Sequence, residues 1–140
     1  MIRALTVALF ILAQAPVVAA ASPCGGPDLA MTSVSVQSVT KTRFLNKYRV
    51  VGTVTNVGGA MQPSNVLQFV DINQYGSRLD DRGVPPLASG QSYVVAYIWN
   101  RSIDAGNWTT PLTFHLRGVA PRPVALNDCN PANDSYDIHF

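Results

Sequence analysis

The stretch Tyr48-Arg49-Val50-Val51-Gly52-Thr53-Val54-Thr55-Asn56-Val57-Gly58-Gly59 decides the fold of this chain. Successive side chains of an extended strand point to opposite sides. Tyr48, Val50 and Val54 therefore share one face, and Val51, Thr53 and Thr55 the other. β-Branched and aromatic residues fill most of the run, which suits a pleated, half-buried surface. It then meets Asn56-Val57-Gly58-Gly59, where glycine is expected to supply the positive φ of a tight turn. A strand delivered into a turn is stable only when other strands cover its apolar face.

Those strands can be read outward from this stretch. Asp28 to Gln37 alternates, but Leu29 and Met31 are out of phase with Val34 and Val36, which predicts a bulge near Thr32 and Ser33. Lys41 to Lys47 reads as a polar connection. Asn65 to Ile72 reads as a central strand with Val70 inward, and Gln74 to Arg82 as a loop or short edge strand. Ser92 to Trp99 alternates Tyr93, Val95, Tyr97 and Trp99 against Val94, Ala96 and Ile98. Trp108 to Arg117 places Leu112 and Phe114 on one face and Thr113, His115 and Arg117 on the other; Ser135 to Phe140 closes the chain with Ile138 inward. The expected core is thus Tyr48, Val50 and Val54, Val70, Val95 with Tyr97 and Trp99, Leu112 with Phe114, and Ile138. No segment after the amino terminus carries a helical apolar stripe, and Gly or Pro separates the runs. The pattern predicts an all-β antiparallel sandwich of about seven strands, with an open barrel as the alternative.

The first residues differ from the rest. Arg3 precedes an apolar run from Ala4 to Ala13, and Ala19, Ala20 and Ala21 follow. A positive start, a short apolar centre and a small-residue exit mark a secretory signal peptide over residues 1–21, too short for a durable membrane anchor. Residues 22–140 then form one domain, exported to the periplasm or the medium, with no transmembrane segment. Charged residues are 13% of the chain, against about a quarter in an average domain. The net charge of +2 argues against nucleic acid as a partner. Cys24 and Cys129 are the two cysteines, and export predicts a disulfide between them.

Several short motifs keep a common order. Pro27-Asp28-Leu29-Ala30 opens the first strand, the V-x-G-T-V-T-N-V-G-G pattern ends the second, and Leu87-Ala88-Ser89-Gly90-Gln91 precedes a strand ending in Trp99. Together with an Asn/Asp-rich segment before the last strand, they resemble CARDB, the cell-adhesion-related domain found in bacteria. The resemblance implies an immunoglobulin-like sandwich, a bacterial surface or secreted setting and a binding or adhesion role. It brings no catalytic residues.

Candidate site residues are few. Asp128, Asn130, Asn133 and Asp134 concentrate oxygen donors of the kind calcium takes, although Asn and Asp also cap turns; no other cofactor is indicated. His115 and His139, with Asp137, share an outer face if their strands are neighbours. Trp108, Tyr75 and Arg78 are the candidate contact residues for an unknown protein or glycan ligand. No nucleophile sits in a recognisable elbow. The reading is therefore a non-catalytic exported binding module, monomeric or weakly oligomeric. The alternatives are a subunit that exchanges its terminal strand, as pilins do, and a small secreted enzyme.

Overall fold

The computed structural model describes residues 25–106, 109–119 and 128–140. The leader at 1–21, Cys24 and Trp108 lie outside these residues. Among the described residues there are seven strands: β1 (Leu29–Lys41), β2 (Leu45–Asn56), β3 (Leu67–Gln74), β4 (Ser77–Val84), β5 (Ser92–Ser102), β6 (Pro111–Val119) and β7 (Ser135–His139). They form two antiparallel sheets, ordered β1-β2-β5 and β4-β3-β6-β7. This is the all-β antiparallel sandwich expected from the alternation, with β4 on the sheet of β3, β6 and β7.

The inner faces meet in one core. Val50 and Val54 of β2, Val95 and Trp99 of β5, and Met31 and Val34 of β1 pack on Val70 and Ile72 of β3 and on Leu112, Phe114 and Leu116 of β6. Tyr48, Tyr97 and Ile138 are half-buried against it. Gly52 occupies the inward position between Val50 and Val54. A Cβ there would lie 3.0 Å from Phe114 Cδ1 and 3.1 Å from Met31 Cε, so the missing side chain is the slot that Phe114 fills. Pairing in β1 slips between Met31 and Ser33, which brings both Met31 and Val34 inward across the change of phase.

Local chemistry differs from the sequence reading at two places and decides between its alternatives at a third. The polar connection Lys41–Lys47 shrinks to a turn: Thr42 Oγ1 accepts from Leu45 N at 3.0 Å and Thr42 N donates to Leu45 O at 2.8 Å, so β2 starts at Leu45. Of the two readings of Gln74 to Arg82, a loop or a short edge strand, the structure shows the edge strand. Tyr75 and Gly76, with φ of 50° and 78°, make a two-residue turn of the I′ kind that leads into the eight residues of β4. Positive φ occurs at Gly76, Gly90 and Gly106 and not at Gly58 or Gly59.

Gly58 is required for a different reason. Residues 26–28 run alongside the turn, with Val57 N donating to Asp28 O at 2.7 Å and Gly59 N to Gly26 O at 3.0 Å. A Cβ on Gly58 would fall 2.2 Å from Gly26 O and 2.5 Å from Asp28 N, both backbone atoms that cannot swing aside. Gly58→Ala is expected to cost on the order of 3 kcal/mol. Chemical denaturation checks this, and a loss under about 1 kcal/mol would show that residues 26–28 do not press on the turn.

The sandwich edges are protected. Arg82 of β4 pairs with Asp80 at 2.6 Å and donates from Nε to the Ala96 carbonyl of β5 at 3.3 Å, closing one side with inward-facing charge. β7 pairs with β6 of its own chain, and Thr110 and Phe140 extend that pairing by two backbone hydrogen bonds. Phe140 then stacks with Tyr48 and Trp99, with ring centroids 5.0 and 4.6 Å away. Among the described residues no helix is long and apolar enough to cross a membrane.

Candidate binding face

With Val70 and Ile72 inward, β3 turns Leu67, Phe69, Asp71 and Asn73 to the outer face of the four-stranded sheet. In the same way β6 turns out Thr113, His115 and Arg117. Asp71 is opposite His115 on one side and Asp81 of β4 on the other, and Phe69 is opposite Arg117. The Arg117 guanidinium reaches diagonally to Asp71, Nε to Oδ2 at 2.7 Å and Nη2 to Oδ1 at 3.0 Å. It also lies 5.0 Å over the Phe69 ring. Arg78 adds longer contacts to Asp71 and Asp81 at 3.8 and 3.9 Å, and Arg117 reaches Asp81 at 3.5 Å.

Asp71 is only 8% exposed although it sits on an outer face, because the two arginines cover it. Its hydrogen bonds from Arg117 hold its carboxyl below the usual value, against the opposing effect of burial; Arg78 and His115 act in the same direction as Arg117. The bidentate geometry is the stronger form of an arginine–carboxylate pair. Sequence reading missed this cluster. Its signal was Asp71 itself, an acid inside the apolar run Val66 to Ile72 that demands a partner from another strand.

Two features flank the cluster. At one end Tyr75, 70% exposed, tops the β3–β4 hairpin next to Arg78, so two of the three candidate contact residues share one hairpin. At the other end a shallow, mainly apolar groove of about 480 Å³ is lined by Leu67, Phe69, Pro85, Pro86 and Tyr93. The face thus runs from an aromatic tip to paired charges, and the groove, which also takes Tyr93 of β5, opens beside it at the margin between the two sheets.

β6 and β7 are indeed neighbours, and His115 and His139 share a face with Asp137, but they do not converge. His115 is opposite Ser135, with Nδ1 and Oγ 2.7 Å apart, and His139 is opposite Pro111. Asp137 Oδ1 accepts from Thr113 Oγ1 at 2.6 Å. Both oxygens of Asp71 are taken by Arg117, so the Ser135–His115 pair has no carboxylate hydrogen-bonded behind it among the described residues. Asp80 and Asp81 point to opposite sides, Asp80 to Arg82 and Asp81 to Arg78 and Arg117.

The Asn/Asp-rich segment caps its own backbone. Asp128 accepts from Asn130 N, and Asn130 accepts from Ala132 N to start the 3-10 turn Pro131–Asn133. Asn133 Nδ2 donates to Asp28 Oδ1 at 3.3 Å. Among the described residues no three His, Cys, Asp or Glu side chains are grouped to hold a metal ion. Burial pushes the Asp134 carboxyl up to about 7, helped by its hydrogen bond and charge contact with Asp128 and by Asp28. A carboxyl raised in the folded state binds more protons there than in the unfolded chain between pH 3.8 and about 7. Its contribution is therefore present at low pH and lost as pH rises through that window. The melting temperature is expected to fall from pH 5 to pH 7.5, and Asp134→Asn to flatten that fall; an unchanged slope in the variant would place the titration elsewhere. Asp71, lowered, acts in a separate window below 3.8.

The Cys129 Sγ lies 3.6 Å from the Pro27 carbonyl oxygen. No protein-family model matches the chain, and no curated protein matches it. Among solved structures it is similar to the solution NMR structure of a domain named as part of a cell surface protein from Methanosarcina acetivorans. The two are 22% identical with a TM-score of 0.53, over 81% of this chain and 89% of that one. At that identity the likeness concerns the fold.

Proposed function

We propose that this protein is an exported, non-catalytic binding module of the CARDB type, and that it meets a protein or glycan partner with the outer face of its four-stranded sheet. The observation that carries the reading is Tyr75. It is a non-glycine residue held at φ 50° and 70% exposed, at a turn position where Asn or Gly would sit without strain. A bulky residue in this conformation costs about 1 kcal/mol or more, and its side chain makes no compensating burial. Exposed tyrosine and arginine together are the residues that most often anchor interfaces. The likeness to a cell surface protein domain supports the same setting.

Tyr75→Asn is therefore expected to raise stability by about 1 kcal/mol while weakening binding. Labelled protein applied to intact producing cells should bind, and Tyr75→Asn and Arg78→Ala should each reduce that binding severalfold. Variants that melt as expected yet bind like the parent would remove this face from the reading. Export also favours a bond between Cys129 and Cys24, since Pro27, beside Cys129, is three residues from Cys24. Mass spectrometry of a non-reduced digest should show the linked peptides, and two free thiols would exclude the bond.

A further inference from the structure

Charge is segregated along the sandwich. Lys41, Arg43, Lys47, Arg49 and Arg101 all lie on the β1–β2 hairpin end and the adjoining end of β5, and on segments 41–49 and 98–106 Asp104 is the one acidic residue. Among the described residues Lys41, Arg43, Lys47 and Arg49 form no ion pair, whereas Arg78, Arg82 and Arg117 at the other sheet all do. The net charge of +2 hides this local excess.

The same end projects from the fold. β1 is exposed on both faces from Ser35 to Lys41, so the other sheet does not cover it there. At its tip Phe44 is 68% exposed and Ile103 50%, and they are adjacent, since Ile103 N donates to Phe44 O at 3.2 Å. The register places Lys41 and Arg101 to either side of Asn46, with Lys47 and Arg49 on the opposite face of β2. The Arg43 guanidinium sits 5.3 Å over the Phe44 ring. An apolar tip is thus ringed by cations on both sides of a projecting hairpin.

We propose that this tip docks on an anionic phospholipid bilayer, with Phe44 and Ile103 entering the headgroup boundary and the surrounding cations facing lipid phosphates. Interfacial binding combines buried apolar area with attraction to anionic lipid, and the tip carries both. A convex turn needs no matching pocket when its partner is a fluid surface. A second copy is disfavoured because the cations of the two tips would oppose each other. The inference does not rest on the sheet face described above, which docking at the hairpin would leave open to its own partner.

The test is co-sedimentation of the purified protein with vesicles of phosphatidylcholine alone or mixed with phosphatidylglycerol. Binding is expected only with phosphatidylglycerol and should weaken with salt, since screening acts within about 10 Å at 0.1 M. Replacing Lys41, Arg43 and Lys47 by Gln should lower affinity on the order of a hundredfold, at about fivefold per cation. Phe44→Ser with Ile103→Ser should lower it about tenfold or more, with the melting temperature kept in both variants. The parent and all variants are compared as the chain from residue 22, so the apolar run at 4–13 takes no part in binding. Equal binding to both vesicle types would overturn the proposal. So would a serine variant that binds phosphatidylglycerol like the parent, or parent protein that binds polyglutamate and not the vesicles, which would point to an acidic macromolecule.

Discussion

Asn56→Ala is expected to cost about 4 kcal/mol or more, a large part of the 5–15 kcal/mol that holds a domain of this size. Asn56 is fully buried and ties three separate segments. Its Oδ1 accepts from Asp28 N at 3.2 Å and Gly58 N at 3.0 Å. Its Nδ2 donates to Ala60 O at 2.8 Å and Leu87 O at 2.9 Å. Alanine leaves Asp28 N, Gly58 N and Ala60 O without this partner, while Leu87 O still accepts from Gln62 N; a buried unsatisfied group costs about 1–3 kcal/mol. Asn56→Asp keeps the two acceptor contacts, loses both donor contacts and adds a buried charge, so at neutral pH it should be no better. Urea unfolding with an unchanged slope checks the comparison; an alanine variant within 1 kcal/mol of the parent would mean that water replaces the side chain and that the turn is not sealed.

Val50→Asp is expected to abolish folding, whereas Val51→Asp, one residue away, should leave a cooperative transition. Val50 has no exposed surface and lies in the centre of the core, facing β3 and β6. A carboxylate there has no cation within the core and no water, and the desolvation of an unpaired charge exceeds what the domain can offset. Val51 faces outward, opposite Ser35 and Ala96, where a charge stays hydrated and the cost should remain near 1 kcal/mol. Circular dichroism and thermal melting of the two variants decide the matter. Similar behaviour would mean that the two faces of β2 are wrongly assigned.

The contrast between these residues shows how far the sequence could be read. The inward phase of Val50, Val54, Val95, Leu112 and Phe114 follows from alternation, because a strand has only two faces and the apolar one must be covered. The bulge near Thr32 follows from a break in the same alternation. Tyr75-Gly76 was legible as a hairpin only to a reader willing to place tyrosine at positive φ, which residue preferences argue against. The binding face was half legible. Tyr75 and Arg78 stand out as exposed types in a polar segment, but Asp71 and Arg117 are 46 residues apart and meet only because β3 pairs with β6.

By itself, then, the sequence determined the class of fold, the strand phases and most of the turns, since these depend on side-chain period and on the few residues that bend a chain. The tertiary structure decided why Asn56-Val57-Gly58-Gly59 has its composition. Gly58 answers to the backbone of residues 26–28 pressed against it, and Asn56 to carbonyls at Ala60 and Leu87. It also decided where charge collects, pairing the arginines of one sheet and gathering Lys41, Arg43, Lys47 and Arg49 at the β1–β2 end, where they form no ion pair among the described residues. Contacts between distant segments carry no local periodicity, so no reading of neighbours along the chain could have shown them.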